Sequence, residues 1–599
     1  MKALIIWVGV LFFTAILSAA VPYAGLRAEM DEKWQDAASL YESILKNDPS
    51  RIDLALRLSD IYSKLQQYDK AAVALNRAIK DNPNDAQLYS KIATVYAVNK
   101  QPEQAMEAIK KAVFLAPQNM DYLRNQASLA NWLGDYELTV ESYKKIFEQT
   151  KDETLLLQIA RTNSWSGHLD LAVKNFQSYL LAHPEDRNIY LDYAKAEIWR
   201  GNYPKAEELL DIYVEKFSND DVSQIMYADL YARAEWPNAS HVLYEPLLEK
   251  KPDDYMLNYI KTLALDHDKR VDESIQSLEK VTKMKPESKD TLDLNKVVLT
   301  QYRSNIRASG TYFQDIDNIR HTETSLYGEY YITPSTSIYA GAIYDNHQAK
   351  DSSPYINIDG SNGISITTIG LGVTHRLNQY LHADLFVGKA TTVNKSTTVG
   401  NLNVRADLGD KATLFLDASK DFYKISPRSV SLSVQRAHSG ALLEYRPTLS
   451  DTILLQGEYD VFSGYNRKWS ALVAPRHAVL RSENWSVDLG VKAWLFGFKK
   501  NLDQGYYDPE LFESYMLTVH SVYRYSSETE LSLIGGLGAI KDDSMDSYKP
   551  GMNIDAVGTT GIYEDWKFQI RTGYMNNQRE TWSEYYDAYY AGMYIMRRF

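Results

Sequence analysis

The chain of 599 residues has no cysteine. That excludes disulfides, thiolate metal sites and a lipid-modified N-terminal Cys, and it is compatible with an oxidising compartment. Positive charge is also short, with 65 Lys and Arg against 78 Asp and Glu. A net charge of −13 argues against a nucleic-acid binder. Phenylalanine is scarce beside tyrosine, 16 against 45. Tyrosine in excess suits surfaces that are half apolar and half wet. At 45% apolar residues the composition is not that of a disordered chain. The length exceeds what one core can serve, so at least two domains are expected.

The start, "MKALIIWVGVLFFTAILSAAVPYAG", carries a Lys followed by an apolar run, with Ser18 and Ala20 as small residues at plausible cleavage positions. Residues 1–20 read as a secretory signal peptide, the alternative being an uncleaved anchor. Either reading takes the body of the chain out of the cytoplasm.

From residue 30 to 295 the sequence repeats. Prolines stand at 49, 83, 117, 184, 252 and 286, spaced 34, 34, 67, 68 and 34 apart. Ala37, Ala71, Ala105, Thr139, Ala172, Ala206, Ser240 and Ser274 keep the same beat. Trp132, Trp165 and Trp199 each precede a glycine by two residues, in "WLGDYELTV", "WSGHLDLAV" and "WRGNYPKAEEL". About eight units in phase resemble the tetratricopeptide repeat, whose period is about 34 residues. Each unit is then two antiparallel helices. The small residue marks their close approach, glycine opens the turn, and proline stops the second helix. Stacking buries what one unit cannot. The repeated Trp, Tyr and Ala are packing residues on this reading, and His168 and His241 are surface residues. The resemblance implies a scaffold for protein partners.

From residue 300 to 599 the period changes to two. In "WKFQIRTGY", Trp566, Phe568, Ile570 and Tyr574 share one face, and Lys567, Gln569 and Arg571 the other. In "WSVDLGVKAWLFGF", Trp485, Val487, Leu489 and Val491 oppose Asp488 and Lys492. In "YLHADLFVGK", Leu381, Leu385 and Val387 oppose His382 and Asp384. About 16 such runs predict an antiparallel transmembrane β-barrel with apolar residues outward and polar residues inward. Aromatic residues at the ends of the apolar faces suit a lipid–water boundary. Sixteen strands would leave an aqueous lumen. The expected lumen carries both signs of charge: residues 301–599 hold 29 Lys and Arg against 33 Asp and Glu. Charge pairing across the lumen is the plainer role for each of these groups.

The end, "DAYYAGMYIMRRF", resembles the terminal strand that the barrel assembly machinery recognises in bacterial outer-membrane proteins, with Phe599 last. Arg597 departs from that pattern by sitting on the apolar face, from where it can snorkel to the interface. Repeats followed by such a barrel resemble the tetratricopeptide-repeat exopolysaccharide export porins of Gram-negative bacteria. That family includes the cellulose synthase outer-membrane subunit and the poly-β-1,6-N-acetylglucosamine export porin. The most specific piece is "GYYDPELFESYMLTVHSVYRY", where Tyr506, Tyr507, Asp508 and Pro509 form a turn before a late strand.

The resemblance implies an outer-membrane export pore for an exopolysaccharide, with a periplasmic repeat domain that scaffolds synthase or modifying proteins. The candidate polymer-path or rim residues are Tyr506, Tyr507, Asp508, Glu510, Asp384, Glu444, Glu458, Asp460, Asp488 and Glu530. Aromatic faces match the C–H faces of sugars, and many weak acceptors permit sliding where one tight site would stall it. Without a strongly basic lumen, a neutral or weakly cationic polymer fits better than a polyanion. The alternative is an outer-membrane scaffold or phage-receptor-like protein with a non-conducting barrel. An enzyme needs a nucleophile and an oriented base, and His382 and His520 lack a Ser–His–Asp grouping. No pattern supports a metal or organic cofactor.

Overall fold

The computed structural model describes residues 23–393, 395–576 and 586–599. The expected signal peptide, residues 1–20, lies outside them. The chain divides into two compact units, one ending at Asp192 and the other running Tyr193–Phe599.

Among the described residues, sixteen helices from Trp34–Asn47 to Lys289–Thr300 alternate as the repeat predicts. Ala37, Ala71, Ala105, Thr139, Ala172, Ala206, Ser240 and Ser274 all have no exposure, each one turn into the second helix of its unit. The turn between the paired helices is as regular. Glu32, Gln66, Lys100, Gly134, Gly167, Gly201, Glu235 and Lys269 all adopt positive φ. In the second unit of the repeat, Gln67 N–H bonds Tyr62 O at 2.8 Å, the Schellman closure of a helix end. Glycine meets this need at three positions. At the others a longer side chain accepts a left-handed backbone for the sake of that closure.

The barrel comprises β1 (Asn305–Asp315), β2 (Arg320–Thr333), β3 (Thr336–Gln348), β4 (Gly363–Arg376), β5 (Leu381–Thr391), β6 (Ser396–Asp407), β7 (Ala412–Phe422) and β8 (Gln435–Tyr445). It continues through β9 (Asp451–Phe462), β10 (Arg467–Arg481), β11 (Trp485–Phe498), β12 (Phe512–Ser526), β13 (Thr529–Asp542), β14 (Lys549–Thr560), β15 (Trp566–Met575) and β16 (Ala588–Arg598). Each strand pairs with its neighbours in sequence, and β1 closes on β16 from Asn305↔Arg598 to Asp315↔Ala588. Closure leaves no unpaired edge, which lipid would not tolerate. Leu326, Leu371, Leu455, Leu489, Leu517 and Met593 are exposed on the outer face. Arg597 pairs with Trp566 across β15 and β16, with its guanidinium 5.1 Å from that ring and 3.5 Å from Asp565. No described helix is long and apolar enough to cross a membrane. A closed barrel with an apolar exterior fits an outer membrane.

The two mouths differ. Short turns join the strands at the mouth that receives the last helices, called proximal here. At the distal mouth, long loops (residues 349–362, 423–434 and 499–511) follow β3, β7 and β11, with short connections between them.

Proximal turns hold the last repeats through specific bonds. The helix Pro237–Lys250 has no cap from its own Trp236 side chain. Asp410, in the β6–β7 turn, supplies one: it accepts from Asn238 N at 2.9 Å, Asn238 Nδ2 at 2.9 Å and Ala239 N at 2.8 Å. A carboxylate there satisfies orphan N–H groups and meets the positive end of the helix dipole. Lys296 pairs with Glu564 at 2.8 Å, and Arg303 with Asp565 at 2.8 Å.

Candidate functional site

Two cavities open where the last helices meet the proximal turns. The larger, about 590 Å³, brings the aromatics Trp199, Tyr203, Trp236 and Trp485 together with Arg481 and Arg524. Arg200, Arg233, Arg446 and Arg476 complete a set of six arginines facing Glu235, Glu444, Asp451, Glu483 and Asp488. This cavity is not acidic. Arginines from the repeats and from the strand ends converge here, which charge counts along one segment do not register. Trp199 is half-buried and Trp236 buried, and both line this cavity. Trp132 and Trp165 are more than half exposed, so the packing expected of the repeated tryptophans fails at those two.

The second cavity, about 340 Å³, is walled by Asp266, His267, Asp268, Lys269, Arg405 and Asp407 among others. Burial pushes the His267 pKa down to about 4 and the Asp268 carboxyl up to about 6. The signs are opposite. Between pH 4 and 6.5 the unfolded chain binds the His267 proton more, so its contribution to stability is lost as pH falls. Between about pH 4 and 6 the folded chain binds the Asp268 proton more, so its contribution is lost as pH rises. Thermal melts across pH 4–7 should therefore show His267→Gln gaining on the wild type toward acid and Asp268→Asn gaining toward neutral. Parallel profiles for all three proteins would contradict this assignment.

On the lumen wall the expected inward acids are mostly engaged. Asp384 accepts from Thr374 at 2.8 Å, Tyr339 at 3.2 Å and Asn403 at 3.3 Å. Glu444 lies 3.7 Å from Arg446. Glu458 accepts from Gln456 at 2.5 Å and Ser470 at 3.1 Å. Asp460 and Asp417 clasp His438, each at 2.6 Å. Asp488 meets Arg481 at 2.7 Å. Glu530 stands opposite Arg524 in the register. Elsewhere on the wall Arg307 pairs with Glu329 at 2.7 Å and Arg571 with Asp555 at 2.9 Å. The wall is polar and largely self-compensated.

Tyr506 and Tyr507 do not line an open path. They lie in the 499–511 loop and are 2% and 3% exposed, within a cluster that includes Val434, Phe462, Phe496, Phe498 and Phe512. The Tyr506 ring stacks at 5.5 Å on Phe462 and meets Tyr423 edge-on at 5.1 Å. Its hydroxyl donates to Gln504 at 3.2 Å and accepts from Asn466 at 3.3 Å, while Tyr507 donates to Asp542. Asp508 is fully buried and accepts from Leu502 N at 2.6 Å. Glu510 remains exposed. Phe599 is exposed, and its N–H bonds Ser304 O at 2.9 Å.

Three distal loops meet over this cluster. Ser426 Oγ donates to Gly505 O, and Arg428 reaches Asp503 at 3.1 Å. Arg428 N donates to Tyr355 O at 2.9 Å, and Ile358 N to Ser431 Oγ at 3.3 Å. Gly505 has φ +79°, and a Cβ there would fall 2.5 Å from that of Arg428. The loops after β3, β7 and β11 are thus bonded to one another, though their strands are four apart. Sequence patterning missed this because loop-to-loop pairing has no period.

The tetratricopeptide-repeat family model matches residues 29–95 and 166–234. No curated protein matches. Among solved structures, a bacterial polysaccharide outer membrane secretin is similar at 11% identity, covering 50% of this chain and 99% of its own, with a TM-score of 0.42. A tetratricopeptide repeat protein from Parabacteroides merdae is similar at 13% identity over 41% of this chain and 98% of its own, TM-score 0.28. The MamA protein is similar at 18% identity over 28% of this chain and 92% of its own, TM-score 0.26.

Proposed function

We propose that the chain is an export pore for an exopolysaccharide, with the repeats on the periplasmic side recruiting synthase or modifying proteins. The observation that supports this reading is the aromatic and arginine-lined cavity beneath the last helices, at the proximal mouth of a closed barrel with a polar wall. Trp and Tyr faces there suit sugar rings, and Asp384, Glu458 and Glu530 inside offer separate acceptors for hydroxyls. Separate weak contacts allow a polymer to slide. Such a pore works without a catalytic group. Removing the chain from its host should abolish surface polymer while synthesis inside continues. Surface polymer that persists would sink the reading.

The bonded distal loops support a second reading, a scaffold or receptor whose barrel does not conduct. Conductance in planar bilayers separates the two: a pore conducts once the distal loops are released, and a scaffold stays closed.

A further inference from the structure

On the lumen face of β2 and β3, His321 and Glu323 stand directly opposite His347 and Asp345 in the register. His321 Nε2 is 3.1 Å from Asp345 Oδ1, and the two imidazoles are stacked at 4.3 Å. One ligand atom each from His321, Asp345 and His347 lies within 4.8 Å of the others. His347 and Asp345 have no exposure, and neither ring nitrogen of His347 has a hydrogen-bond partner. A buried imidazole with both nitrogens unsatisfied costs free energy unless something engages it.

We propose that His321, Asp345 and His347 form a binding site for a divalent transition ion, zinc being the best match, with Glu323 able to supply a fourth oxygen. Two imidazoles and carboxylate oxygen are a zinc donor set. Bonds of about 2.0–2.2 Å in a tetrahedron place donor atoms roughly 3.3 Å apart, so small side-chain rotations close this set. The ion would engage the orphan nitrogen of His347 and hold together two carboxylates that sit beside each other. His438, between Asp417 and Asp460 on the lumen wall, has both nitrogens satisfied and is no such site.

The site is tied to the distal loops. Lys424, at the start of the 423–434 loop, reaches across to Asp345 Oδ2 at 3.1 Å and also pairs with Asp421 at 2.9 Å. An ion on Asp345 competes with that ammonium and so weakens one tie between the loop after β7 and the wall at β3.

The test is zinc titration of the full chain, folded in detergent, with cobalt as the absorption probe of donor type and geometry. Heat-modifiable gel mobility checks that each variant keeps its barrel. Wild type should bind one zinc per chain. His347→Gln and His321→Gln should each weaken it by more than the roughly 10–100-fold that loss of an outer-shell partner costs. His438→Gln should leave it unchanged, and Lys424→Met should tighten it. His321 is partly exposed, so its variant keeps the test decisive if the His347 variant fails to fold. No zinc bound by wild type, or equal binding by the His321 variant, would overturn the site. Unchanged affinity in Lys424→Met would overturn the competition with the loop.

Discussion

Tyr506→Ala is expected to open the distal mouth. The ring is 2% exposed and contacts Tyr423, Phe462 and Phe498, which come from the loop after β7 and from β9 and β11. Truncating a fully packed aromatic costs about 3–5 kcal/mol, transfer and cavity together. The barrel itself does not depend on this ring, because its strands are paired all round. The loss therefore falls on docking of the loops, and about 3 kcal/mol moves that equilibrium by roughly a hundredfold. Single-channel conductance in planar bilayers should rise in Tyr506→Ala and again in Phe462→Ala. Tyr515→Ala, on the outward face, should leave it alone. If neither cluster variant conducts better than wild type, the loops are not what closes the barrel.

The repeat and the strands were legible because both are periodic. Alanine, threonine and serine at the beat of 34 could serve only at a close helix approach, and all eight are fully buried. Alternation also set the inward phase: Asp384, Glu458 and Asp488 contact other inward groups while Leu385, Leu455 and Leu489 face out. The left-handed turn was legible at Gly134, Gly167 and Gly201 but not at Gln66 or Lys100, where residue type conceals the same backbone.

Contacts between non-neighbouring elements left no such trace. Tyrosines in a turn before a strand suit a lipid–water rim and a buried cluster equally well, since the ring is apolar and the hydroxyl can be satisfied in either place. Asp410, in a Gly-Asp turn, reads as a turn residue. Its helix N-terminus lies 171 to 172 residues earlier in the chain. The His321–Asp345–His347 group is likewise split between two strands, each showing only an ordinary i, i+2 pair. The pairing register makes them neighbours, and only structure supplies it.

Arg233→Met should strongly destabilise the repeats. Asp229 is 1% exposed, and its Oδ1 accepts from Arg233 Nε at 2.8 Å within the helix Asp221–Arg233. Burial works against the charge on Arg233, and the carboxylate more than offsets it, so the Arg233 pKa is raised. Removing the guanidinium strands a buried carboxylate whose Oδ2 already has no hydrogen-bond partner, at a cost of about 3–5 kcal/mol. Repeat units are stable only through their neighbours, so the defect spreads to the adjoining helices. One of them is Pro237–Lys250, the helix that Asp410 caps from the barrel. The helical melt should move to lower temperature, and protease should cut near residues 220–250, while the barrel keeps its heat-modifiable mobility. The double variant Asp229→Leu/Arg233→Met, which removes both charges, should recover most of the loss. If it melts as low as Arg233→Met alone, packing of the arginine stem rather than the stranded charge sets the cost.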